Sequence, residues 1–213
     1  MTSDPSAQSD LWVFGYGSLI WKPGFPFISS ERAALVGFHR ALCVFSVRYR
    51  GSNLRPGLVF GLDEGGFCEG VVFRVAAGHV AATKDYLRDR EQVTGAYCAG
   101  LRLVERHGDA KPIRALTFIA NRLHPQYAGR LPMATQLRVV RAAEGDSGPN
   151  ADYVVSTARH LAELGIRDRP LRHLAARIGD LRPALHRSYP HAAVPPLPPD
   201  RALRCGYQRN RGL

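Results

Sequence analysis

A chain of 213 residues with 45% hydrophobic and 22% charged residues can bury one real core, roughly 70% of its unfolded surface, which excludes a disordered body. Its formal charge of +11 invites polyanion binding. Only Lys22, Lys84 and Lys111 are lysines, however, and the arginines are dispersed among alanine, leucine and glycine, so specific nucleic-acid binding is not expected. The positive field would instead help draw in a small anionic substrate.

The first ten residues, MTSDPSAQSD, are polar and acidic. They read as a disordered terminus rather than a secretory signal, and no apolar run approaches a membrane span, so a cytoplasmic protein without a membrane partner is expected. Segments with strand character follow: LWVFGYGSLI, RALCVFSVRY, GLVFGL and EGVVFRV, each bounded by glycine or proline. AAGHVAATKDYLRDREQVTG reads as a helix, with Val80, Thr83 and Leu87 at helical intervals and Gly95 as its stop. Strands resume in GLRLVERHG and IRALTFIAN, and YVVSTARHLAELG and RPLRHLAARI read as two helices. Strands first and helices late predict an α+β domain over residues 11–187. The remainder, residues 188–213, is a Pro/Arg-rich tail whose PPLPP cannot form regular structure.

The four cysteines, Cys43, Cys68, Cys98 and Cys205, are scattered without a CxxC pair and read as reduced, mostly buried thiols. The histidines make no HExxH and none stands at metal spacing from a cysteine pair, so no metal is expected. In the turn Gly15-Tyr16-Gly17-Ser18, a dinucleotide fingerprint would need glycine where Ile20 stands, and a helix rather than Trp21-Lys22-Pro23-Gly24. A nucleophile elbow would need glycine at Tyr16, so Ser18 is not that nucleophile. What remains is a tight turn whose missing Cβ atoms let a carboxylate or oxyanion approach backbone N–H groups.

Glu91 falls four residues after Leu87 and eight after Thr83, so it projects from the apolar stripe of the predicted helix. An inward salt bridge would explain it. So would general acid/base chemistry, because the helix C-terminus and burial both raise a carboxyl pKa. Glu69 is a rival carboxylate, sharing a strand face with Val71 and Phe73, but an exposed strand end beside Gly70 is the reading favoured for it.

Taken together, VFGYGSLIW, Tyr49 to Gly51, Pro56 and Gly57, GVVFRV, YLRDREQVTGAY, FIAN with Tyr127 and Gly129, and GPNADYV resemble the ChaC-type γ-glutamylcyclotransferases, in order from about Leu11 to Ile178. The resemblance implies a mixed, barrel-like sheet with flanking helices and cofactor-free cleavage of glutathione into 5-oxoproline and cysteinylglycine. It makes Glu91 the catalytic glutamate and Val13, Phe14, Gly15, Tyr16, Gly17, Ser18 and Leu19 the substrate loop. Tyr16 and Tyr127 read as substrate contacts or as core and turn aromatics; Arg50 reads as a partner for a substrate carboxylate or as a surface ion pair. REQVTGAY carries one residue more than the family's usual form, so the loop after the helix should differ. Other γ-glutamyl amino acids or amines are alternative substrates. A non-catalytic arginine-rich polyanion binder is the alternative of another class, and the sequence leaves the oligomeric state open.

Overall fold

The computed structural model describes residues 9–91, 95–109 and 111–179. The expectations for most of the N-terminus, for the extra loop residue after the helix and for the Pro/Arg-rich tail lie outside the described residues. Five strands carry the architecture: β1 (Leu11–Gly15), β2 (Ser29–Ser46), β3 (Gly57–Val75), β4 (Tyr97–Arg106) and β5 (Ile113–Ala120). They close into a barrel in the order β1-β3-β2-β4-β5. β1 closes it, pairing antiparallel with β3 through Val13↔Phe73 and parallel with β5 through Val13↔Leu116.

Two of the expected strands, GLVFGL and EGVVFRV, are one continuous strand of 19 residues, β3. Its Gly65 and Gly66 (φ +96° and +71°) stand near Gly37 (φ +87°) of β2, where the pairing register shifts between Val36 and Phe38. Glycines that fall between two expected strands therefore serve an irregularity that bends a long, coiled ribbon. β2 likewise begins eleven residues earlier than RALCVFSVRY, at Ser29 rather than Arg40, because Ala33 and Leu35 are buried on alternate positions.

Helix α1 (Val80–Glu91) follows a single 3-10 turn at Ala77–His79 and lies against one side of the barrel, burying Thr83 and Leu87. A second side is covered by α2 (Met133–Ala142), α3 (Asn150–Glu163) and α4 (Arg169–Gly179). α2 was not expected; Pro132 at its start and buried Leu137 and Val140 three residues apart are its local signal. In α3 the buried residues Asn150, Tyr153, Val154, Thr157 and Leu161 recur at three- and four-residue intervals, one stripe facing the sheet. A short pair of two-residue strands, β6 (Glu144–Gly145) and β7 (Gly148–Pro149), joins α2 to α3.

Both faces of β1 are buried. Val13 joins Phe73, Val75, Leu87 and Phe118 beneath α1, whereas Phe14 joins Leu35, Leu62 and Val72 with residues of the α2–α4 layer. Each such side chain contributes roughly 1.5–3 kcal/mol by leaving water. Asn150 ties the layer to the barrel: its Oδ1 accepts from the Leu58 N–H at 2.7 Å and its Nδ2 donates to the Leu58 carbonyl at 2.7 Å. The side chain thus stands in for a neighbouring strand at that residue. Cys43 and Cys68 are free, buried thiols. Cys98, half-buried in β4, is disulfide-bonded, a correction to the reduced thiol expected of it. Cys205 lies outside the described residues.

Candidate active site

At the end of β1 the chain turns through Tyr16 and Gly17 into a 3-10 turn, Ser18–Ile20. Gly15 is required by packing, since a Cβ there would meet Leu19 Cβ and Phe73 Cε2 at 3.1 Å each. Gly17 is different: a Cβ would meet Tyr153 Oη at 3.4 Å and Phe60 Cβ at 3.7 Å, ordinary contact distances, so a single methyl would fit there but nothing larger toward those residues. The turn closes with Ile20 N–H donating to the Gly17 carbonyl at 3.0 Å. Among the described residues no backbone acceptor takes the N–H groups of Gly17, Ser18 or Leu19.

A cavity of about 690 Å³ opens over this turn. Glu91 reaches its wall from the last position of α1, on the same stripe as the buried Thr83 and Leu87. Its side chain is only 17% exposed, and its Oε1 lies 3.2 Å from Arg90 Nε. Burial pushes its pKa above the ordinary carboxylate value of 4.5, and the Arg90 guanidinium pulls the other way without cancelling the rise. Arg90 also donates to the Lys22 carbonyl (2.6 Å), the Tyr86 hydroxyl (2.8 Å) and Ser18 Oγ (2.9 Å). One guanidinium therefore spans the distance between the glycine turn and the glutamate.

Three tyrosines complete the inner wall. The Tyr16 hydroxyl donates to the Phe118 carbonyl at 2.8 Å and the Tyr97 hydroxyl to the Phe60 carbonyl at 2.8 Å, while Tyr153 Oη accepts from the Phe60 N–H at 3.1 Å. Burial drives all three phenols above their usual value of 10.0, so they stay neutral at physiological pH. Glu91 is then the carboxyl at the wall whose raised pKa suits proton transfer nearer neutrality. The Arg50 guanidinium lies 5.5 Å over the Tyr153 ring and donates to the Pro149 carbonyl at 3.2 Å.

Of the residues singled out from the sequence, Tyr16, Gly17, Ser18, Leu19, Arg50 and Glu91 line this cavity. Val13, Phe14 and Gly15 do not: the first two are core residues of β1, and Gly15 supports the turn from below. Tyr127 is also outside it, pairing with Val44 and donating its hydroxyl to Asp63 at 2.8 Å, beside Arg122. Glu69 is not an exposed strand end; it sits within β3, half-buried and 3.0 Å from Arg32, and is not part of the wall. Sequence reasoning did not pick out Arg90, Tyr97 or Tyr153. For Tyr153 a signal existed in GPNADYV, where it stands three residues after Asn150, at the spacing that turns both toward the barrel. Among the described residues, no group of three or more His, Cys, Asp or Glu is arranged to hold a metal ion, and no helix is long and apolar enough to cross a membrane.

The barrel with its helical cover has the architecture of the γ-glutamylcyclotransferases. It matches the crystal structure of a γ-glutamylcyclotransferase specific to glutathione from yeast, in selenomethionine-labelled form, with a TM-score of 0.76 over 84% of this chain and 100% of that one, at 22% identity. That likeness carries the fold alone. The sequence goes further: residues 11–181 match the ChaC-like protein family, and the chain belongs to it. It is 32% identical over 189 residues to the glutathione-specific γ-glutamylcyclotransferase of Escherichia coli, covering 89% of this chain and 80% of that protein. To the glutathione-specific γ-glutamylcyclotransferase 1 of Rattus norvegicus it is 32% identical over 87% of this chain and 84% of that one. The Schizosaccharomyces pombe glutathione-specific enzyme is 30% identical over 75% and 86%.

Proposed function

We propose that this chain cleaves glutathione by cyclising its γ-glutamyl group. The free α-amine of the γ-glutamyl residue attacks its own γ-carbonyl, forming the lactam C–N bond. The bond to the cysteine nitrogen then breaks, releasing 5-oxoproline and cysteinylglycine. Glu91 takes the proton lost by the attacking amine and returns one to the departing amine. Nucleophile and electrophile belong to one molecule, so no protein nucleophile is required and the cavity's main task is to hold a bent near-attack conformer. The N–H groups of Gly17, Ser18 and Leu19 would bind the α-carboxylate or the developing oxyanion, and Arg50 a substrate carboxylate.

The observation that carries this reading is a glutamate of raised pKa on the wall of the same cavity as the glycine turn, bridged to Ser18 by Arg90. The same reading implies work in the cytoplasm, where glutathione is the thiol buffer. Incubating the purified protein with glutathione and measuring 5-oxoproline and cysteinylglycine tests it. Equimolar release of the two supports it; silence with glutathione but turnover of γ-glutamyl-alanine would transfer the reading to other γ-glutamyl compounds.

A further inference from the structure

One buried cation has no part in the steps above. Arg40, on β2, has a side chain only 4% exposed, and its guanidinium is spent on three acceptors from three separate segments. Nε donates to the Tyr16 carbonyl at 2.6 Å, one terminal nitrogen to Asp168 Oδ2 at 2.6 Å, and the other to the Glu69 carbonyl of β3. We infer that Arg40, held in place by Asp168, is a positioning residue that aims the Gly17 N–H into the substrate cavity. The inference rests on the cyclotransferase reading given above.

The argument is one of peptide geometry. No peptide bond among the described residues is cis, and in a trans peptide the carbonyl and the following N–H point in opposite directions. Fastening the Tyr16 carbonyl to a buried guanidinium therefore turns the Gly17 N–H away from Arg40. Gly17 lines the cavity and has no side chain to block the approach. The charge behind the carbonyl also polarises the same peptide, which strengthens its N–H as a donor. Asp168 makes the arrangement rigid. Its Oδ1 accepts from the Leu171 N–H at 3.0 Å and its carbonyl from the Arg172 N–H at 2.9 Å, so the carboxylate that fixes Arg40 also caps α4. The helical layer thereby sets the orientation of one peptide in the glycine turn.

The test compares wild type, Arg40→Lys and Arg40→Met/Asp168→Asn. The double variant removes both charges of the buried pair, and its asparagine keeps an acceptor for the α4 cap. Glutathione turnover and melting temperature are measured, together with the shift of the Gly17 amide NMR resonance on adding 5-oxoproline. Expected are a fall of about 10- to 100-fold in kcat/KM for folded Arg40→Lys, with a lowered melting temperature because an ammonium cannot serve all three acceptors, a larger fall in kcat/KM for the double variant, and loss of its Gly17 shift. The acid limb of the pH profile, set by Glu91, should not move. Wild-type kinetics and a wild-type Gly17 shift in the folded double variant would overturn the inference. If that variant does not fold, Arg40→Lys decides alone, and wild-type kcat/KM in it overturns the inference. An inactive wild type would instead overturn the cyclotransferase reading, and this inference with it.

Discussion

Replacing Glu91 by glutamine keeps the shape and a hydrogen-bond acceptor for Arg90 but removes the ability to take and return a proton. The turnover number should fall by about 10²- to 10⁴-fold, with KM changed far less. Stability should move the other way or not at all. Because burial raises the folded-state pKa of Glu91, its favourable contribution is complete below the unfolded value and is lost as pH rises through the folded one. At neutral pH the ionised group is therefore a cost. Its partner is not orphaned by the change, since Arg90 keeps the Lys22 carbonyl, the Tyr86 hydroxyl and Ser18 Oγ as acceptors. The melting temperature of Glu91→Gln should be equal to or slightly above that of wild type. In wild type, kcat/KM should decline on the acid side as Glu91 protonates, at a pH above the ordinary carboxylate value of 4.5. 5-Oxoproline release across a pH series, with calorimetry on both proteins, measures all of this. A folded Glu91→Gln protein with wild-type turnover would refute the mechanism; a lowered melting temperature with full activity would make Glu91 a structural ion-pair member.

Gly17→Val should raise KM for glutathione by at least about tenfold, because its methyls extend beyond a Cβ that already stands 3.4 Å from Tyr153 Oη; unchanged kinetics in folded protein would count against the turn as a binding element. Glu69→Gln should keep wild-type turnover and lose less than about 1 kcal/mol, since its pair with Arg32 is a third exposed on both sides; a large loss of rate would reopen its claim to the chemistry. Asn150→Leu leaves the Leu58 N–H and carbonyl without their partner, which should cost roughly 3 kcal/mol and lower the melting temperature by about 10 °C. Denaturation with an unchanged midpoint would refute the tethering role of that side chain.

What the sequence makes legible follows from how local each signal is. Glu91 could be placed because helical phase depends only on its neighbours, Thr83 and Leu87, and Gly17 because a glycine turn after an apolar strand is itself local. Val13 and Phe14 misled because a barrel strand covered by helices on two sides is buried on both faces, so apolar residues beside the turn belong to the core. Tyr97 and Arg90 were missed for the opposite reason. Each becomes part of the wall only when β4 and α1 are brought against β3 and the 3-10 turn, through contacts such as Tyr97 to Phe60 and Arg90 to Ser18. GLVFGL and EGVVFRV read as separate strands because nothing near the intervening Gly65 and Gly66 distinguishes a chain reversal from a bend in a ribbon whose partner, β2, supplies the continuity.

The wall of the cavity takes Gly17 from the turn after β1, Arg50 from the segment after β2, Phe60 from β3, Glu91 from α1, Phe118 from β5 and Tyr153 from α3. None of these segments forms any useful part of it alone. Ligand binding and barrel closure are consequently one equilibrium: at about 100 times its Kd, a ligand adds about 2.7 kcal/mol to the opening free energy of the whole unit. In amide hydrogen exchange that stabilisation would spread through the core of β1, β3 and β5 and through α3, as slower global opening, instead of stopping at the residues the ligand touches.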